Sequence, residues 1–449
     1  MTDSVRDLAP SPMETGTGHP GHMHRIAAAS LFGTAIEFYD FYIYGMAAAL
    51  VFNHVFFPDL SATSGLLASF STFGVAFVAR PLGSMLFGHF GDRLGRKAVL
   101  VISLLMMGLS TACVGLLPGY AQWGTAAPAL LIALRLVQGI GLGGEFGGAA
   151  LLSVEHAPEE QRGRFGSSPQ LGAPLGLFAA TGVFWIISST VSESAFAAWG
   201  WRIPFLLSFL FTMVGLVVRW KVAETPVFRE MAGAGELSRT PVLEVLRKHP
   251  RELLLGAGAM VVVFCTFYTA SAFCLSYATG TLKIPRSTML AVSLFGCAAF
   301  AAGIWFSATR SDRVGRRRVL LIGSAVTVPY ALVVFPLLDT GQILLIAGAI
   351  SGLYFVTGLS YGPIGAYLPE LFGARVRYTG ASVAFNLGGV LGAAGAPLIA
   401  TRLQDSFGAF AVGVYMSVAA LVSIVCIRFL PETRLRGLGH RQSAPGTHP

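Results

Sequence analysis

The sequence predicts an all-α polytopic membrane protein with twelve transmembrane helices in two six-helix bundles. Three observations carry that reading. Hydrophobic residues make up 54% of the 449 and charged residues only 12%, about half the roughly 25% of a soluble globular domain. The mean hydropathy is +0.67, more apolar surface than a soluble core has room to hide. A short pattern of acid, bases and glycine also occurs twice, as GHFGDRLGRK from Gly88 to Lys97 and as ATRSDRVGRRR from Ala308 to Arg318.

Apolar segments long enough to span a bilayer, about 20 residues or more, fall near 26–52, 65–90, 98–118, 128–153, 166–188 and 203–221. A second set falls near 253–276, 288–309, 319–338, 342–368, 379–401 and 408–430. The first segment is too long for the apolar region of a cleavable signal peptide. Residues 1–23, rich in Pro, Gly, Ser, Thr and His, read as a disordered tail. Between the sets lies a polar linker, 222–250. The expected domains are therefore two bundles, 24–221 and 251–432, with tails 1–23 and 433–449. Cys113, Cys265, Cys274, Cys297 and Cys426 all lie inside apolar segments. They show neither a disulfide framework nor metal-ligand spacing.

Charge placement gives the orientation. Of the 31 Lys and Arg, Arg202, Lys283, Arg286 and Arg402 lie in loops after odd-numbered segments, and Arg80 and Arg135 lie within segments. All the others fall in the tails, the linker or the loops after even-numbered segments. The positive-inside rule then puts both termini and the linker in the cytoplasm of a cell membrane. The net charge of +9 is accounted for by this placement and implies no nucleic acid.

The halves repeat. Asp92-Arg93-x-Gly95-Arg96 returns as Asp312-Arg313-x-Gly315-Arg316, Glu155 with Arg162 returns as Glu370 with Arg377, and Glu224-Thr225 returns as Glu432-Thr433. Six helices followed by six more in the same orientation form a parallel repeat, which places a substrate site between the halves near the midplane.

Over nearly all of residues 24–435 the chain resembles the major facilitator superfamily, and within it the metabolite:proton symporter family. The stretches that carry the resemblance are EFYDFYIYG (37–45), VARPLGSMLFGHFGDRLGRK (78–97), RLVQGIGLGGEFGGAALLSVE (135–155), WGWRIPF (199–205) and PELFGARVRYTG (369–380). That family often has Trp where Phe38 and Phe146 stand, and Gly where Ala308 stands. The resemblance implies the major facilitator fold, usually a monomer, and uptake by alternating access. It implies that the repeated loop motif is a cytoplasmic latch. Asp92 and Asp312 would be its acids and Arg93, Arg96 and Arg313 its bracing bases, with Glu155, Arg162, Glu370 and Arg377 as neighbours. The alternative is that these charges only anchor topology.

Ionisable groups at membrane depth are costly and usually functional. Glu37, Asp40, Arg80, Arg135 and Glu145 are such groups, all in the first half. Glu37, Asp40 and Tyr44 are spaced i, i+3, i+7, and Arg135, Gln138 and Glu145 are spaced i, i+3, i+10, so each set reads as one helix stripe. Three acids against two bases leave one carboxylate without an obvious partner, which can take up and release a proton as the cavity opens. Asp40 and Glu37 are the first candidates, then Glu145. Arg80 can grip a carboxylate with two parallel hydrogen bonds, or it can pair with Glu37 or Asp40. The resemblance ties Arg135 to proton coupling. Gln138, Gln170, Tyr268, Tyr361 and Asn386 join Tyr44 as candidate substrate contacts or as plain interhelical hydrogen bonds.

The expected activity is thus proton-coupled symport of a small organic anion, with no cofactor. An uncoupled facilitator and a symporter of zwitterions such as proline or betaine are the alternatives. No Walker-type phosphate loop is present. The chain also has no constellation that would suit a membrane enzyme, and the linker is too short for a receptor's signalling domain.

Overall fold

The computed structural model describes residues 20–94, 96–155, 157–221, 241–373 and 376–434. Twelve helical rods alternate in direction, named α1 to α12. In the first half they are α1 (Pro20–Leu50), α2 (Ala62–Leu94), α3 (Arg96–Leu116), α4 (Ala126–Glu155), α5 (Glu159–Thr190) and α6 (Glu193–Gly200 with Arg202–Lys221). In the second they are α7 (Pro250–Gly280), α8 (Arg286–Val314), α9 (Arg316–Asp339), α10 (Ile343–Glu370), α11 (Arg377–Phe407) and α12 (Ala409–Phe429). Among the described residues, nine rods are individually long and apolar enough to cross a bilayer, and the bent pair of α6 makes a tenth. Residues 1–19 of the expected tail 1–23, and 222–240 of the expected linker, lie outside the described residues, while 20–23 open α1 rather than continuing a tail. The rest of the expected linker includes a short helix, Pro241–Lys248.

The sequence repeat has a packing counterpart. In the first half α1 packs on α5, α2 on α4, and α3 on α6; in the second α7 packs on α11, α8 on α10, and α9 on α12. Each pairing is the other advanced by six helices. The contacts between the halves obey the same rule, since α5 meets α8 and α2 meets α11. The cavity lies between these two seams.

Close approach needs small residues. Without a hydrophobic drive between helices in lipid, packing is by van der Waals contact. On α4, a Cβ at Gly139 would overlap the backbone of Ala76, and one at Gly143 the backbone of Arg80. These glycines let α2 and α4 touch backbone to backbone, which turns Arg80 into the interior.

Regular winding is interrupted near the cavity. α4 breaks at Gly144, between Ala126–Gly143 and Glu145–Glu155. α7 holds a π-turn at Thr269–Phe273 and α11 another at Val390–Ala394. The glycine-rich run 387–397 unwinds locally there. Such π-turns recur at functional sites because they free backbone groups and re-aim side chains.

Gly139→Val is expected to force α2 from α4 and to destabilise the detergent-solubilised protein by about 1–3 kcal/mol, the usual cost of overpacking. Gly182→Ala, where nothing lies within 4 Å of an added Cβ, is expected to leave the melting temperature unchanged. Thermal unfolding of both variants checks the pair.

Candidate functional site

A cavity of about 520 Å³, counting its space open to solvent, lies between the halves. α1 supplies Glu37 and Phe41, α2 Arg80, α4 Glu145 and Phe146, α5 Gln170, α10 Tyr361, and α11 Phe385 and Asn386. Six of the side chains singled out by sequence therefore line one space. Two of them, Glu37 and Glu145, are carboxylates and one, Arg80, is a base. The rest of the wall is largely aromatic.

Arg80 is 4% exposed. Its guanidinium lies 4.2 Å from the Phe41 ring centroid and 4.3 Å from that of Phe77, and the Tyr268 hydroxyl faces it. Away from water, each such cation–π contact is worth on the order of 2 kcal/mol. Its Nε has no hydrogen-bond partner. Arg135 lies across the same ring, 4.9 Å from Phe41 and 3.7 Å from Tyr44. Its Nη1 donates to Gln138 Oε1 and its Nη2 to the Phe73 carbonyl at 3.4 Å. Neither arginine takes part in the ion pairs found among the described residues. The expected pairing of Arg80 with Glu37 or Asp40 is therefore replaced by an aromatic cage.

The two helix stripes split. Glu37 opens on the cavity, whereas Asp40, fully buried, has the Ser208 hydroxyl of α6 and Glu37 as polar neighbours. Neither Asp40 carboxylate oxygen accepts a hydrogen bond of good geometry among the described residues. A step of three residues stops about 60° short of a full helical turn, enough to aim Asp40 at α6. Tyr44 sits two turns along from Glu37, and its hydroxyl meets Thr72 Oγ1 at 2.7 Å. On α4, Arg135 and Gln138 pack together outside the cavity wall, while Glu145 lies beyond the break and lines it. Gln138 in turn donates to Thr111 Oγ1 at 2.8 Å and to the Asp40 carbonyl at 3.4 Å.

The neutral residues divide too. Asn386 donates to the Gly143 carbonyl at 3.0 Å, and Tyr378 donates to the Gly144 carbonyl. α11 thereby satisfies the carbonyls freed by the α4 break. With its amide turned to match its neighbours, Gln170 donates to Gly166 (2.9 Å) and accepts from the Gly365 N–H of α10 (3.1 Å). Tyr268 borders a second, smaller and largely apolar space with Tyr42, Phe73 and Ser271. Across the seam Phe146 and Phe385 stack face to face, centroids 3.6 Å apart. Phe38 and Phe146, where the family often has Trp, both line the cavity.

The loop motif closes one end. Asp312 at the end of α8 accepts from the Gly163 and Arg164 N–H groups at 2.7 and 2.8 Å. These are first-turn donors of the short helix Arg162–Gly166 that leads into the body of α5, so the acid caps a helix of the other bundle. The bracing base is Arg316, and not the expected Arg313, whose side chain is exposed. Arg316 is buried and pairs with Asp312 at 3.1 Å and with Glu370 at 3.2 Å. Arg313 follows Asp312 by one residue on α8 and points outward, while the turn at Gly315 brings Arg316, the first residue of α9, back onto the acid. Glu370 also accepts from Thr433 Oγ1 at 2.5 Å. Glu432 accepts from the Arg316 and Arg317 N–H groups at 2.9 and 3.1 Å, capping α9 beside Gly315 at φ 104°. Glu155 lies 4.0 Å from Arg377, and Arg162 pairs with Glu159 at 3.0 Å. The side chains of Asp92, Arg93 and Arg96 lie outside the described residues.

Sequence reasoning missed the cage, the Phe146–Phe385 stack, Tyr378 and Arg316. A signal for the cage was present: Phe73, Phe77 and Arg80 are spaced i, i+4, i+7 on α2.

Twelve rods in two like bundles around a shared, charge-bearing cavity define a membrane transporter of the major facilitator fold. The model of the sugar (and other) transporter family matches residues 26–253 and 230–443, and the chain belongs to that family. It is 45% identical over 421 residues to the inner membrane metabolite transport protein YhjE of Escherichia coli K12, covering 92% of this chain and 96% of that one. It is 36% identical over 433 residues to the shikimate transporter of the same organism, covering 94% and 97%. Among solved structures, the xylose transporter XylE from E. coli in a partially occluded inward-open conformation matches with a TM-score of 0.73. That match has 18% identity and covers 93% of this chain and 100% of XylE, so it speaks to fold. The protein is a multi-pass membrane transporter of small molecules and not an enzyme.

Breaking a buried ion pair from one side leaves an uncompensated charge. Arg316→Ala is accordingly expected to lower stability by about 3 kcal/mol, while Arg313→Ala stays within about 0.5 kcal/mol of wild type. Denaturation of the two purified variants reads the difference.

Proposed function

We propose that this transporter takes up a small organic anion together with a proton across the inner membrane, by rocking its two bundles about the central cavity. The loops after α2, α4, α8 and α10 and both chain ends then face the cytoplasm, as the Lys and Arg distribution implies. The observation that carries the reading is Arg80, a buried guanidinium on the cavity wall, clamped between two rings and without an ion-paired carboxylate among the described residues. A charge kept from water and from a protein counter-ion marks where the substrate's own charge goes. Its planar fork suits a carboxylate held by two parallel hydrogen bonds. The shikimate transporter's name agrees, since shikimate is a carboxylate.

Charge balance supplies the proton. Among the five ionisable residues at this depth, the carboxylates Glu37, Asp40 and Glu145 outnumber the bases Arg80 and Arg135 by one. Adding an anion deepens that excess in a medium that penalises it. A proton taken up with the anion offsets the added charge. Glu37 is the carrier reached from the cavity, Asp40 the second member of the relay, and Glu145 the acid on the neighbouring helix α4. Arg135 sets the orientation around Asp40 through Gln138. Tyr361, Gln170, Asn386 and Tyr268 add neutral contacts to the substrate body, while Tyr44 and Gln138 hold Arg135. The site is complete within one chain, which suits a monomer.

In proteoliposomes offered a panel of labelled organic acids, proline and betaine, one acid is expected to accumulate only under an inward proton gradient. Arg80→Ala is expected to weaken its apparent affinity about 100-fold, the loss of a charge-assisted bidentate contact. Glu37→Gln is expected to abolish accumulation while sparing exchange of internal for external substrate. Equilibration without any gradient dependence would instead establish an uncoupled facilitator.

A further inference from the structure

The α5–α8 seam runs nearly the whole height of the molecule, since α8 has 29 residues, about 44 Å at 1.5 Å per residue. Asp312 fastens its motif-bearing end. The opposite end carries a fastening of different chemistry, built on Arg286, the first residue of α8. Arg286 Nη1 lies 3.1 Å from Glu193 Oε2 and Nε donates to Ser188 Oγ at 2.9 Å. The guanidinium also stacks 3.6 Å above the Phe196 ring, which is itself buried. All three partners belong to the other bundle, at the corner where α5 ends and α6 begins.

That corner is rigid. Ser192 caps the turn by accepting from the Ala195 N–H at 3.2 Å. Phe196–Gly200 forms a π-turn, and Arg202 donates to the Gly115 carbonyl at 3.0 Å and the Leu117 carbonyl at 2.5 Å. The corner is thus tied to α3, so whatever holds Arg286 holds the whole first bundle.

We infer that Arg286 is a gate residue of the transport cycle, an outer latch that must open when the bundles part on the face opposite the loop motif. The inference rests on the alternating-access reading but not on the nature of the substrate or on proton coupling. Asp312 and Arg286 sit at opposite ends of one helix pair. Rocking about the midplane separates one end as it closes the other, so the two latches trade stability. Both are formed here, which places this conformation between the two open states. Glu193 is 84% exposed, and exposed ion pairs contribute little. Most of the latch strength therefore lies in the Phe196 stack and the Ser188 bond, which need the planar guanidinium.

The test uses the full-length transporter, its native cysteines replaced, with spin labels at exposed residues Gln122 and Thr340 on the Arg286 face. Pulsed electron resonance then reads the distance between bundles. Arg286→Gln is expected to enrich the long-distance population about tenfold, and Arg286→Lys to do so nearly as much. Asp312→Asn is expected to deplete it. Glu193→Gln, at an exposed position that does not threaten folding, is expected to shift it weakly in the same direction as Arg286→Gln. An unchanged distribution in a folded Arg286→Gln protein would overturn the assignment, as would full retention of the short distance in Arg286→Lys. Failure of proton-coupled uptake alone would leave these distances as predicted, so the two proposals fail separately.

Discussion

The bilayer interior offers no water to solvate a charge, and Glu37, Asp40, Arg80, Arg135 and Glu145 all sit at that depth. Everything near them answers to that constraint. The arginines are wrapped in the faces of Phe41, Phe73, Phe77 and Tyr44, whose quadrupoles replace part of the lost hydration. Those rings come from α1 and α2, and α2 can present Arg80 inward only because Gly139 and Gly143 let α4 approach its backbone. The acids are handled differently. Glu37 and Glu145 line the cavity from the neighbouring helices α1 and α4, and Asp40 is sealed against Ser208.

Motion is built from the same helices. The seams between the bundles, α5 with α8 and α2 with α11, are related by the repeat, so neither bundle is a passive support. At the motif end, the Asp312 carboxylate caps a helix terminus across the seam, an interaction confined to that helix's first turn. Asn386 and Tyr378 bond to carbonyls freed at the α4 break, which couples α11 to the cavity wall that carries Glu145. Separation of the bundles at that end would strip those carbonyls of their partners and part the Phe146–Phe385 stack, so the cavity floor and the seam open together.

Much of this was legible before any coordinates. Twelve segments, their repeat and the five buried charges follow from hydropathy and from the cost of charge in lipid. Cavity residues such as Arg80, Tyr361 and Asn386 were found because a polar side chain on a long apolar helix must face protein. What spacing could not give was the neighbour across a helix interface. Arg80 and Asp40 have complementary charge and similar depth, yet they face different helices, and the partner of Arg80 is a ring. Arg316 was passed over for Arg313 because the loop motif was read as a linear string. In the fold, α8 stops at Val314 and the positive-φ turn at Gly315 folds Arg316, at the start of α9, back onto the acid. Arg286 counted only as a stray outer charge, because nothing in the linear sequence reveals that Phe196 and Ser188 lie beneath it.

The central claim is that anion and proton bind the cavity together. Calorimetric titration of the transported acid into purified protein, repeated in buffers of different ionisation enthalpy, measures protons taken up per anion bound. About one proton per anion, lost in Glu37→Gln with binding retained, is the result predicted by the charge balance of the site. Binding with no proton uptake in the wild type would contradict it, and the three carboxylates would then be structural counterparts of the two arginines.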